Sequence, residues 1–212
     1  MKKIFITFAA FLFITSIGVA ILFGRIAQPM KWYTVATQIQ QGQENLAERA
    51  EFRLTEEFHK VRPPKDSWKL RIQSVAINAW LSFRLEDWLT HREGTEFPSE
   101  FRSPLVQITP DGIWVAGLAS FDTALDSNKQ PIAVKFQLQI LEDKLTIKTV
   151  AVRLGKLPLP LSMLGMIGQD LKDLTFTTEA VVQLMDDRAV NIRQVKLEDG
   201  ALVLTCETYL QK

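Results

Sequence analysis

Three rhythms of apolar and polar positions run along this chain of 212 residues. Ile4 to Phe23 carries no charged side chain, and its length of about twenty residues matches the hydrocarbon core of a bilayer. Val35 to Val61 repeats apolar or small residues by threes, fours or sevens, at Val35, Ile39, Leu46, Ala50, Leu54, Phe58 and Val61. That spacing predicts a helix, which Pro63-Pro64 stops. Beyond Pro64 the period falls to two. Lys69 to Val75 reads as a strand, and Ile77 to Leu89 as a helix with the stripe Ile77, Trp80, Leu81, Leu85, Trp88, Leu89. Asn78, Ser82 and Glu86 fall on its opposite, polar face.

From Leu105 the pattern predicts β-hairpins, with strands near 104–109, 113–122, 131–141, 144–154, 177–185, 189–197 and 201–209. Pro110-Asp111-Gly112, Glu142-Asp143-Lys144, Asp186-Asp187-Arg188 and Glu198-Asp199-Gly200 supply turn residues between them. Ile132, Val134, Phe136, Leu138 and Ile140 alternate with small or polar residues, which predicts one dry and one wet face. Two strands slip phase. Leu145 and Ile147 give way to Val150 and Val152, and Val190 and Ile192 give way to Val195 and Leu197. Such a slip predicts a β-bulge, and bulges curve a sheet. After Pro160, Leu161, Leu164, Ile167, Leu171 and Leu174 form a helical seam, and Met163 and Met166 widen it. That helix either plugs the core or gates an apolar pocket.

The expected fold is therefore α+β: an N-terminal transmembrane helix, then a curved antiparallel sheet packed on two or three helices. Residues 1–28 form the signal anchor, 29–64 a helical stalk or first domain helix, and 65–212 the antiparallel domain. A retained anchor is favoured over a cleaved signal, because the run is long and exits through Phe23-Gly24-Arg25 rather than a small-residue site. Trp32 and Tyr33 would then sit in the interfacial layer. Lys2, Lys3 and the α-amino group keep the N-terminus cytoplasmic, so a single-pass protein of the cytoplasmic (inner) membrane would present its C-terminal domain outside the cytoplasm.

Composition changes this picture little. The formal net charge of +1 offers no nucleic-acid footprint. Cys206 is the single cysteine and alternates with Leu202 and Leu204, the pattern of a buried apolar residue. His59 and His91 lack neighbours at metal-ligand spacing, and no nucleophile elbow, phosphate loop or dinucleotide motif occurs. These features point away from an enzyme, a metal site and a cofactor.

Ile77-Asn78-Ala79-Trp80-Leu81 and Gly155-Lys156-Leu157-Pro158-Leu159-Pro160 carry a family resemblance. Over Trp68 to Leu174 the order of strand, Asn-bearing helix, antiparallel strands and Gly-Leu-Pro element resembles the YpmS-like membrane-anchored bacterial proteins. It is similar, more distantly, to tubular lipid-binding (TULIP) domains. That resemblance implies a lipid or other hydrophobic ligand held between a curved sheet and helices. The candidate lining is Trp80, Trp88, Val134, Phe136, Leu138, Met163, Leu164, Met166 and Ile167. The expected partners are the membrane, through Ile4 to Phe23, and a lipid. The competing reading is a structural or assembly factor that contacts another envelope protein and has a fully packed core.

Overall fold

A computed structural model describes residues 24–26, 28–34, 43–63, 65–93, 101–120, 129–163, 175–184 and 186–210. The apolar run Ile4 to Phe23 lies outside these residues, as do Val35, Ile39, Leu164, Met166 and Ile167. Among the described residues no helix is long and apolar enough to cross a membrane.

The described chain is mostly antiparallel sheet with a few helices. Helix α1 (Glu44–His59) leads to strand β1 (Ser67–Gln73), helix α2 (Ser74–Phe83) and a short helix α3 (Leu85–Trp88). Leu89–Glu93 continues as a π-helical turn. Strands β2 (Phe101–Thr109), β3 (Gly112–Ala119), β4 (Gln130–Leu141), β5 (Lys144–Leu154) and β6 (Leu157–Leu159) follow. After a 3-10 turn at Leu161–Met163 come β7 (Thr175–Glu179), β8 (Val181–Gln183), β9 (Arg188–Glu198) and β10 (Ala201–Leu210). One sheet runs β1-β10-β9-β8; the other runs β2-β3-β4-β5-β6, with β7 also paired to β5.

Both phase slips are bulges. Val150 has no partner where Lys135 faces Ala151 and Phe136 faces Thr149. Arg193 has none where Thr205 faces Gln194 and Cys206 faces Ile192. One expected strand, 177–185, divides at Ala180 instead. The Ala180 N–H donates to the Asp143 carbonyl at 2.8 Å, and its carbonyl accepts from the Ile192 N–H at 2.7 Å. The chain thus passes from one sheet to the other at a residue 1 % exposed.

Two clusters form the core. In the first, α1 lays Leu54 and Phe58 on Trp68, Leu70, Val190, Leu204 and Cys206 of the four-stranded sheet. Phe58 and Trp68 meet edge-on at 5.8 Å, and Trp68 Nε1 donates to Thr208 Oγ1 at 3.1 Å. The last carbonyls of a helix lack internal partners. Arg188 of β9 supplies them, donating to the His59 and Lys60 carbonyls at 3.0 and 3.1 Å. The stripe of α1 therefore packs on its own domain as far as Phe58. Val61, placed on that stripe by spacing, lies past the helix end and is 85 % exposed.

In the second cluster Met30 and Tyr33 cover Leu105, Ala116 and Ala133 of the six-stranded sheet, with Trp32 and Trp114 alongside. This corrects two expectations. Tyr33 is 3 % exposed and its hydroxyl donates to the Ser103 carbonyl at 3.0 Å, so it belongs to the domain core and not to a membrane interface. The alternating strand β4 has its wet face only in its second half, where Gln137 and Gln139 are exposed; in its first half the small-residue face is covered. Ala133, on the small-residue face, is fully buried beneath the 28–34 segment, while Ile132, Val134, Phe136, Leu138 and Ile140 are half-buried. A distant segment covers the small face, which strand periodicity cannot register.

Candidate functional site: an apolar groove between two helices and an edge strand

The four-stranded sheet ends at β1, and α1 and α2 cross beside that edge. Between them lies a groove of about 380 Å³. Leu46, Ala50 and Leu54 of α1 form one wall, Leu70 and Ile72 of β1 the floor, and Ala76, Ile77 and Trp80 of α2 the other wall. The spacing explains the shape. On α1, Leu46, Ala50 and Leu54 succeed one another by four and share one face, with a small residue in the middle. On α2, Ala76 and Ile77 precede Trp80 by one helical turn, so a small side chain again sits beside a large one.

Three cationic side chains, Arg49, Arg53 and Arg71, join this apolar lining. Arg71 is ion-paired with Glu198, which Lys196 also contacts at 3.0 Å. Hydrogen bonds from Lys196 first and Arg71 second hold the Glu198 carboxyl below its ordinary range. Arg49 Nε donates to the Asn45 carbonyl at 3.0 Å, and among the described residues neither Arg49 nor Arg53 forms an ion pair.

The two helical walls are tied together above the groove. Trp80 Nε1 donates to Glu51 Oε1 at 2.7 Å, and Arg84 approaches the same carboxylate at 3.7 Å. Trp88 stacks edge-on against Trp80 at 6.1 Å and is 38 % exposed. From the other side α2 is pinned to β2 by Asn78, which is buried. Its Nδ2 donates to the Val106 carbonyl at 2.9 Å, and its Oδ1 accepts from the Val106 N–H at 2.6 Å. Of the expected polar face, Ser82 and Glu86 are exposed, but Asn78 turns inward, because its side-chain amide takes the place of a strand partner.

Of the expected lining residues, Trp80 borders the groove. Trp88 supports Trp80 from behind. Val134, Phe136 and Leu138 lie on β4 in the other sheet and do not border it. Met163 closes the 3-10 turn, and Leu164, Met166 and Ile167 lie outside the described residues. Sequence reasoning missed the α1 wall, although two arginines flanking Ala50 on an otherwise Glu-rich helix were its visible sign.

Cys206 is fully buried in the adjoining cluster, and burial pushes its thiol up to about 11. A thiol so protonated is a poor nucleophile. Among the described residues no group of three or more acidic, histidine or cysteine side chains is placed to hold a metal ion. His59 and His91 each have Nδ1 against the carbonyl four residues back, Thr55 and Asp87, at 2.9 and 2.8 Å. In comparisons with known proteins the chain matches no family model, no curated protein and no solved structure.

Proposed function

We propose that this protein is a single-pass, membrane-tethered binding module that holds the hydrocarbon part of a lipid in the groove between α1, β1 and α2. The tether is Ile4 to Phe23, with the domain outside the cytoplasm. The observation that carries the binding role is the groove itself. Small-molecule sites are concave, mainly apolar and commonly of about 300–1,000 Å³, with a few polar groups to fix orientation. A groove of about 380 Å³ walled by eight aliphatic or aromatic side chains and edged by arginines fits that description.

A packed assembly factor would need none of this space. Ala50 and Ala76 leave room for it, since a large side chain at either position would project into the groove. The tether supports a lipid as the ligand, because it keeps the groove within reach of a bilayer at all times.

The test is photo-crosslinking of the full chain in phosphatidylcholine nanodiscs doped with palmitic acid bearing a diazirine on its chain. Cross-linked peptides should map to α1 and α2 as well as to the tether. Ala50→Trp, which fills the groove, should remove the helical cross-links and leave those in the tether. Cross-links confined to Ile4 to Phe23 in the unaltered protein would refute the binding role.

A further inference from the structure

We infer that the groove selects a single acyl chain ending in a negative charge, a fatty acid, and that Arg49 and Arg53 receive its carboxylate. This rests on the lipid-binding reading above and adds the chemical class of the ligand.

Arg49 and Arg53 are four residues apart on α1, so their side chains are neighbours on one face. Like charges at that spacing repel each other and weaken a helix. The third arginine shows the contrast. Arg71 is matched by Glu198, whereas among the described residues no carboxylate matches Arg49 or Arg53. Two of the acids near them are engaged elsewhere, Glu51 with Trp80 and Arg84, and Glu57 with Arg62 at 2.5 Å, and Glu56, three residues beyond Arg53, forms no ion pair among the described residues. Two exposed guanidinium groups are thus left side by side at the edge of an apolar groove. Their planar forks suit a carboxylate, which would relieve their repulsion while its chain runs along Ala50, Leu54 and Ile77.

Size sets the number of chains. A cavity of ~150 Å³ accepts one benzene ring. The groove has about two and a half times that volume, which suits one chain and not the two of a phospholipid.

The experiment compares three diazirine probes with the full chain in phosphatidylcholine nanodiscs: palmitic acid, its monoglyceride with the same chain and a neutral head, and phosphatidylglycerol. Palmitic acid should label α1 and α2 about tenfold more than the monoglyceride. The double variant R49Q/R53Q should bring that ratio close to one, while R49K/R53K should retain most of the preference. Both substituted positions carry exposed side chains, and thermal melting of each variant checks that the fold is kept.

Equal labelling by palmitic acid and the monoglyceride would overturn the charge selection while leaving the binding role standing. So would a preference that survives R49Q/R53Q. Stronger groove labelling by phosphatidylglycerol than by palmitic acid would overturn the single-chain assignment. Labelling of the groove by none of the three would remove the binding role and this inference together.

Discussion

Asn78 and Val106 are paired as two strand residues would be, although one of them sits in a helix. The Asn78 side-chain amide both donates to and accepts from the Val106 backbone, at 2.9 and 2.6 Å, in a buried setting. Strand β2 is the edge of the six-stranded sheet, so the polar backbone of Val106 would otherwise have no partner on that side. Covering an edge with a helix that imitates a strand blunts its tendency to pair with other chains. The same contact fixes α2, and with it the Trp80 wall of the groove.

Replacing Asn78 with Ala or Leu should therefore cost stability out of proportion to the atoms removed. An unsatisfied buried donor or acceptor costs about 1–3 kcal/mol, and this substitution leaves one of each, so a loss of about 2–4 kcal/mol is expected. Asn78→Asp should also destabilise, because a carboxylate can accept from the Val106 N–H but repels the carbonyl. Urea denaturation measures both. A loss below about 1 kcal/mol for Asn78→Leu would mean that water replaces the amide.

Two glycines with positive φ should respond differently to alanine. Gly155 (φ +56°) lies against the backbone of Arg25 and Ile26: a Cβ there would meet the Ile26 carbonyl oxygen at 2.1 Å and that of Arg25 at 2.6 Å. Gly200 (φ +71°) has only Ser74 Oγ nearby, at 3.9 Å. Gly200→Ala should cost only the backbone penalty of about 1–2 kcal/mol. Gly155→Ala adds a clash with fixed backbone, so it should cost more and also release the Lys156 N–H from the Arg25 carbonyl, now at 3.0 Å. Faster proteolysis between Arg25 and Met30 in Gly155→Ala alone would report that release. Equal cleavage in both variants would argue against it.

Local features of this fold were legible in the sequence, and long-range ones were not. The slips at Val150 and Arg193 could be read because a bulge alters the alternation within its own strand. Burial of Cys206 could be read for the same reason. The division at Ala180 could not, since Asp143 and Ile192, both distant in sequence, decide it through space. Tyr33 was indistinguishable from an interfacial aromatic because its partner, Ser103, is seventy positions away. The groove was hidden for a related reason. The stripe of α1 says which face turns inward, not whether the facing helix leaves a gap beside Ala50.

Alkaline pH should weaken the domain in two steps. Burial raises the Cys206 thiol from 9.0 to about 11 and the Tyr33 hydroxyl from 10.0 to about 12. In each case the folded state holds its proton more tightly than the unfolded state. The associated stability is fully present below the unfolded pKa and is lost as pH rises through the folded one. For Cys206 that window is pH 9 to 11, and for Tyr33 it is pH 10 to 12. A two-unit shift corresponds to at most about 3 kcal/mol for Cys206. Cys206→Ala should be somewhat less stable than the unaltered protein at pH 8 and should lose less between pH 9 and 11. Parallel stability curves across that window would show that the thiol does not contribute.

The proposed orientation makes the last prediction. Lys2 and Lys3 precede the apolar run, and Arg25 and Lys31 follow it, so the charge bias that sets topology is small and should be reversible. Alkaline phosphatase fused after Lys212 matures only when exported, and the fusion should be active with Ile4 to Phe23 retained in the product. Changing both Lys2 and Lys3 to Glu leaves basic residues only on the far side, which should retain that side in the cytoplasm and lower fusion activity several-fold. Arg25→Gln together with Lys31→Gln should have the opposite effect or none. An inactive fusion in the unaltered protein would overturn the outward orientation. A mature N-terminus just after Gly24 would overturn the tether, and with it the argument that the groove stays within reach of a bilayer.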